Sequence, residues 1–341
     1  MSAPSAALQR GPAAVDLLDL HPVAADMQRL VVEGLSRSPR QLPAWFLYDA
    51  EGSRLFDRIC EQPEYALTAT ETALLEREAP AMAAALGAGV PVEFGAGSAR
   101  KVSPLLEALA PPAYVALDIS SEHLAGACRA LQARHPAIPV LGICCDYSQL
   151  LTLPAHPLLD GQRLLGFYPG SSLGNFAPSE AVALLRQFAR LLGPEGRLLI
   201  GIDQPRAAAQ LEAAYDDAAG WSAAFARNLL VRLNRELGGS FVPERFRYRA
   251  RWQPQQSRIE MALVSTCHQV VDVAGRRWPF AAGEALITEH SHKYDPTAFT
   301  ALAAAAGWRA QARWADPSDS FSLHLLAPQA PGRLEPVEAS R

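Results

Sequence analysis

The segment Tyr168-Pro169-Gly170-Ser171-Ser172-Leu173-Gly174-Asn175-Phe176 puts glycines and an amide where the apolar run 164–167 opens into a loop. Glycine lets backbone approach a small molecule closely, and an Asn side chain carries both a donor and an acceptor. A second such turn, Glu93-Phe94-Gly95-Ala96-Gly97-Ser98, follows another apolar run. Gly-x-Gly at a strand-to-helix turn suits a nucleotide or amino-acid moiety, but the dinucleotide fingerprint needs a third glycine where this chain has Arg100. That disfavours an NAD-dependent dehydrogenase. Further along, Glu289 and Ser291 are two residues apart in Ala285-Leu286-Ile287-Thr288-Glu289-His290-Ser291, so on a strand they share a face. A carboxylate beside a hydroxyl matches the two nitrogens of an imidazole. His290 then faces away; it and His292 read as structural or solvent-facing, and no nucleophile elbow accompanies the Ser-x-His pair.

These residues need a frame. From 91 to 203 short apolar runs alternate with amphipathic ones, the pattern of a parallel sheet covered by helices. Strands are expected at 91–94, 114–119, 140–145, 164–168 and 197–202, with helices at 101–110, 121–134 and 178–192. After Asp203 the pattern changes. A helical region, 206–237, ends at Gly238-Gly239 and gives way to alternating runs at 246–252, 258–271 and 278–280, read as antiparallel strands with one wet face. A helix at 296–306 and strands at 309–314 and 321–326 then resume the first pattern. The expected architecture is α/β: a doubly wound, mostly parallel, Rossmann-like sheet interrupted by an α+β insertion. Its expected divisions are an N-terminal segment 1–70 packing on the insertion, a core 71–205, the insertion 206–287, completion of the core 288–328 and a tail 329–341.

On that frame Gly95, Asp118 and Asp146 fall at successive strand ends. A carboxylate at 118 can accept from both hydroxyls of a ribose. Asp146 can take an exocyclic adenine amine while Tyr147 covers the ring. Singly, each has a blander reading as a turn or a helix N-cap; together they fit S-adenosylmethionine in a class I methyltransferase core.

Composition sets outer bounds. At 341 residues, 49% hydrophobic and 19% charged, the chain is an ordinary globular one, large enough for two domains. A net charge of -4 and no basic stripe argue against nucleic acid or an anionic membrane as partner. No run approaches membrane-spanning length and no leader is recognisable. Five cysteines, odd in number and without metal-ligand spacing, suggest a reduced, cytoplasmic protein with no metal; Cys144 and Cys145 read as small buried hydrophobes. Residues 1–14 and the tail beyond Pro328 are expected to be poorly ordered. Oligomeric state is not set by the sequence, and a monomer is compatible with it.

The chain resembles the histidine Nα-methyltransferases of ergothioneine biosynthesis over roughly 42–326. The resemblance is carried by Tyr48-Asp49-Ala50-Glu51-Gly52-Ser53-Arg54-Leu55-Phe56-Asp57, Pro63-Glu64-Tyr65, Phe94-Gly95-Ala96-Gly97-Ser98 with Lys101, and Gly170-Ser171-Ser172-Leu173-Gly174-Asn175. It extends to Ala214-Tyr215-Asp216-Asp217-Ala218-Ala219-Gly220 and Thr288-Glu289-His290-Ser291-His292-Lys293-Tyr294. It implies S-adenosylmethionine bound by Gly95, Lys101, Asp118, Asp146 and Tyr147. It also implies L-histidine in a pocket of Tyr65, Asn175, Tyr215, Glu289 and Ser291, with Tyr48 and Gly170 nearby. By that likeness Asn175 and Tyr215 hold the amino-acid end, Glu289 and Ser291 the imidazole, and three transfers give the trimethyl betaine, hercynine. Where the family continues Pro-Glu-Tyr with Tyr-Pro-Thr-Arg, this chain has Ala66-Leu67-Thr68-Ala69, which alters the pocket rim.

Methyl transfer from a sulfonium needs in-line approach rather than a protein nucleophile or a metal. The α-amine must lose its proton, for which Tyr48 and Tyr215 offer a relay, and tyrosine faces can accommodate the growing cation. Two alternatives stay open at this point: a related methyltransferase acting on another amino acid or small amine, and a non-catalytic S-adenosylmethionine-binding module.

Overall fold

A computed structural model describes residues 15–20 and 25–329. The expectations for residues 1–14, and for the tail from 330 onward, lie outside the described residues. Fourteen strands are described: β1 (Val15–Asp19), β2 (Arg40–Gln41), β3 (Val90–Phe94), β4 (Tyr114–Asp118), β5 (Val140–Cys144), β6 (Leu164–Tyr168), β7 (Arg197–Asp203), β8 (Phe246–Gln253), β9 (Arg258–Ser265), β10 (Gln269–Val273), β11 (Arg276–Phe280), β12 (Ala285–His292), β13 (Trp308–Ala315) and β14 (Phe321–Pro328). The helices are α1 (Ala25–Leu35), α2 (Ala50–Cys60), α3 (Ala66–Leu86), α4 (Ser103–Leu109), α5 (Ser121–Arg134), α6 (Pro178–Leu192), α7 (Ala208–Tyr215), α8 (Trp221–Leu237) and α9 (Pro296–Ala305).

Eight strands form one sheet in the order β1-β5-β4-β3-β6-β7-β14-β13, all running the same way except β14, which is antiparallel to both its neighbours. After β3 the chain runs outward through β4 and β5, then returns to place β6 on the other side of β3. That reversal opens a crevice at the carboxyl ends of β3 and β6, where such sheets bind ligands. β3 and β5 are buried along their whole length, as befits strands covered on both faces. Val90, Val92 and Phe94 belong to one apolar cluster with Phe188 of α6 and Phe299 of α9, Phe94 stacking on Phe188, whereas Glu93 points to the opposite layer with Tyr114.

Sequence chemistry sets the helix ends. Pro178 opens α6, Glu180 accepts from the Ala177 N–H at 2.9 Å, and Gly193 ends the helix at φ 74°. Asp295 caps α9 by accepting from the Ala298 N–H at 2.8 Å.

A second, four-stranded sheet has the order β2-β12-β9-β8, and β10 and β11 form a separate hairpin. Four expectations are corrected here. The region 206–237 is two helices, because Asp217 accepts from the N–H groups of Trp221 and Ser222 and starts α8 afresh after Gly220 at φ 81°. The run 258–271 likewise divides into β9 and β10. The boundary at 287/288 falls inside β12, which pairs along its length with β9, so residues up to His292 belong to the second sheet. The N-terminal segment does not pack on the insertion alone: β2 adds to β12, but β1 pairs in parallel with β5 and extends the large sheet.

Candidate functional site

The crevice joins two groups of side chains. On the β3–β4–β5 side, Gly95 and Gly97 take φ of 72° and 52°, a conformation that favours glycine. The Gly97 N–H donates to Asp118 Oδ2 at 2.8 Å and the Ser120 N–H to Oδ1 at 3.0 Å. Each Asp118 oxygen keeps a second lone pair for a ligand. Asp146 Oδ1 accepts from the N–H and the hydroxyl of Ser148, at 3.0 and 2.6 Å. Both aspartates therefore also serve as local turn acceptors, the blander of their two readings. Tyr147 packs against Gly95, its hydroxyl 3.4 Å from where a Cβ would sit and 3.4 Å from that of Tyr168.

Lys101 connects this side to the glycine loop after β6. Its ammonium donates to Glu71 Oε2 at 2.8 Å, and the Glu71 carboxylate also accepts from the Gly170 N–H at 2.9 Å. Burial works against the Lys101 charge, but Glu71 outweighs it and raises the Lys101 pKa. Glu71, on α3 and fully buried, is a residue the sequence did not single out.

The loop after β6 sets the substrate side. Ser171 lies at φ 57°, and Gly174 sits so close to β12 that a Cβ would come within 2.5 Å of the His292 carbonyl oxygen. That approach delivers Asn175 to Glu289: Asn175 Nδ2 donates to Glu289 Oε1 at 2.8 Å. Glu289, Ser291 and Lys293 alternate onto one face, toward the crevice. On the other face His290 meets Glu260 at 3.5 Å, and the His292 ring lies 6.3 Å from that of Tyr294. Desolvation, with the charge of Arg258, pushes His292 down to about 4, so it is a neutral packing group.

Burial raises the Glu289 carboxyl to about 8, against the opposing charge of Lys293 and a hydrogen bond from Tyr48. Tyr48 bonds to it, and Tyr215 bonds to Ser291 two residues on. The rings of Tyr65 and Tyr215 are 5.8 Å apart, edge to face, and Tyr48 packs on Phe225 and Phe56 at 5.3 and 5.7 Å. Tyr215 ends α7, and its carbonyl accepts from the Tyr248 hydroxyl at 2.7 Å.

The grouping differs in one respect from the expected division into an amino-acid end and a ring end. Asn175 pairs with Glu289, and the Tyr215 hydroxyl pairs with Ser291 at 2.8 Å, so each expected end is bonded to the other. Buried carboxylates and hydroxyls need partners, and neighbours supply them. Two further residues escaped sequence reasoning. Lys293, 1% exposed, donates to Tyr215 Oη at 2.6 Å and to Ser291 Oγ at 3.0 Å, and pairs with Asp203 Oδ2 at 2.6 Å. Lys293 lies within the quoted 288–294 motif; Asp203 shows only as the last residue of an apolar strand.

Comparison with known proteins follows the same lines. A family model described as histidine-specific, S-adenosylmethionine-dependent methyltransferase matches residues 27–328. A histidine N-alpha-methyltransferase of Mycolicibacterium smegmatis is 38% identical, over 89% of this chain and 95% of its own. Another from Mycobacterium tuberculosis is 35% identical over 88% and 94%. Ergothioneine biosynthesis protein 1 of Neurospora crassa is 30% identical over 94% of this chain but 37% of its own length.

Proposed function

Because this chain belongs to the histidine-specific, S-adenosylmethionine-dependent methyltransferases, we propose how its residues divide the work of that reaction. It is an S-adenosylmethionine-dependent L-histidine Nα-methyltransferase with a class I α/β core, making hercynine for ergothioneine biosynthesis. The observation that carries the residue assignment is the convergence of Asn175, Glu289, Tyr215 and Ser291 beyond the glycine loop that follows β6.

The cofactor fits the chain's own groups: a turn with two positive-φ glycines, a carboxylate at the end of β4 and the Lys101 ammonium. When bound, S-adenosylmethionine supplies an electrophilic methyl group. Asp118 holds the ribose diol, Asp146 and Tyr147 the adenine, and Lys101 the carboxylate end. Asn175 and Tyr215 orient the α-amine, with Gly170 shaping the wall, and Glu289 and Ser291 take the imidazole. Holding the amine in line contributes up to ~7–11 kcal/mol. The faces of Tyr48, Tyr65 and Tyr215 accommodate the growing cation at roughly 0.5–2 kcal/mol. Burial holds the Tyr48 hydroxyl well above the usual phenol range, so it passes a proton on as a hydroxyl rather than standing as a phenolate.

Among the described residues no helix is long and apolar enough to cross a membrane. Five cysteines, odd in number and without metal-ligand spacing, support a cytoplasmic setting. Asn175→Ala tests the assignment: cofactor affinity is expected to hold while kcat/KM for histidine falls at least ~10-fold through lost alignment. Equal loss of cofactor affinity would assign Asn175 to the loop's shape instead.

A further inference from the structure

Lys293 is a buried cation that the reaction scheme above leaves without a task. Its ammonium donates to Tyr215 Oη at 2.6 Å and to Ser291 Oγ at 3.0 Å, and forms an ion pair with Asp203 Oδ2 at 2.6 Å. An ammonium has no lone pair, so it donates to both hydroxyl oxygens. These hydroxyls lie 2.8 Å apart and one must donate to the other. The phenol is the more acidic and the closer to Lys293, so the Tyr215 hydrogen goes to Ser291. Ser291 Oγ then accepts twice and has only its own hydrogen left to offer. Tyr215 Oη keeps one acceptor site, suited to an amine.

We infer that Lys293 is a positioning residue that makes Ser291 a donor only, so that the site takes a neutral imidazole in a single tautomer, its bare nitrogen on Ser291 and its N–H on Glu289. The inference rests on the assignment of Glu289 and Ser291 to the ring. Charge acts in the same direction. Asp203 is shared by Lys293 and Arg206, so one positive charge is left beside the two hydroxyls and favours a lone pair approaching them. The anchor is firmly placed, since the Asp203 N–H donates to Ser171 Oγ at 3.0 Å, in the loop that carries Asn175. An ion pair serving stability alone would need only Asp203; Lys293 also donates to two site hydroxyls.

The test begins with the wild-type protein saturated with S-adenosylhomocysteine and ring-15N L-histidine near pH 6.5, where the free ring is about half protonated. The expected spectrum has one protonated and one bare ring nitrogen. Bound imidazolium, or a mixture of tautomers, would overturn the inference and leave the histidine assignment standing. Failure to bind histidine at all would overturn both. Lys293→Met is compared with Lys293→Met/Asp203→Asn, which avoids a stranded carboxylate. S-adenosylhomocysteine affinity is expected to change by less than ~3-fold, while the ratio of kcat/KM for histidine to that for phenylalanine falls by ~10-fold or more. If both substrates lose activity in step, the lysine is structural and the inference fails. Should neither variant fold, the wild-type spectrum alone decides.

Discussion

Glu289 is where substrate selection is most exposed to test. Its carboxylate is 8% exposed and accepts from Asn175 Nδ2 at 2.8 Å. Glu289→Met removes the acceptor of that amide and, in the proposed complex, of the imidazole N–H. A buried polar group left unpaired costs ~1–3 kcal/mol, which at 1.4 kcal/mol per factor of ten is about 5- to 150-fold. The loss should be larger in kcat/KM for histidine than in that for phenylalanine, which has no ring N–H to strand. Glu289→Gln separates the contributions. Its amide oxygen can still accept from Asn175, so it should keep most of the stability and lose less selectivity than Glu289→Met. The assay is initial-rate mass spectrometry of methylated products from histidine, phenylalanine and tryptophan with each protein. An unchanged histidine-to-phenylalanine ratio in Glu289→Met, or a wild type that prefers an apolar amino acid, would refute the assignment.

Other consequences follow from the same network. Asp118→Ala should weaken the cofactor roughly 10- to 150-fold, the worth of ~1.5–3 kcal/mol for hydrogen bonds to a charged group; unchanged calorimetric affinity in a folded variant would remove Asp118 from the site. Glu71→Leu leaves the Lys101 ammonium and the Gly170 N–H without their acceptor, and should lower unfolding free energy by about 3–5 kcal/mol in urea titration. A loss under about 1 kcal/mol would mean that Lys101 finds another partner. Burial raises the Glu93 carboxyl to about 8 from 4.5, against the hydrogen bond from Tyr114 and the charge of Lys101. With the folded value above the unfolded one, its contribution is full below pH 4.5 and is lost as pH rises through 8. Glu93→Gln stays neutral, so its stability should fall less between about pH 5 and 8 than that of wild type, by up to ~1.4 kcal/mol per pH unit; parallel curves would place the titrating group elsewhere.

Much of the core was legible because its signals are local. Buried parallel strands read as short apolar runs, and β6, α5 and α6 match their expected limits. The alternation that put Glu289 and Ser291 on one face, and His290 and His292 on the other, also holds. What was not legible depends on pairing between distant segments. Residues 288–292 look like the resumption of the core, yet they pair with β9, which nothing within the run itself announces. β1, only Val15–Asp19, finds its place through β5, far along the chain. The break at Asp216 to Gly220 was written in local chemistry, an acidic acceptor at Asp217 and a glycine just ahead of α8, but was masked by the helical character on both sides. Glu71 and Lys293 carried no signal of their own. On a helix or strand a charged residue ordinarily reads as solvent-facing; only the fold reveals that each is buried against a partner.

The most direct measurement is the mass of the product formed when the purified chain is incubated with L-histidine and excess S-adenosylmethionine. The account predicts histidine carrying three methyl groups on its α-nitrogen, with S-adenosylhomocysteine released in threefold amount, and little product from phenylalanine or leucine. Binding of S-adenosylmethionine with no methylated histidine, or preferential methylation of another amino acid, would contradict it.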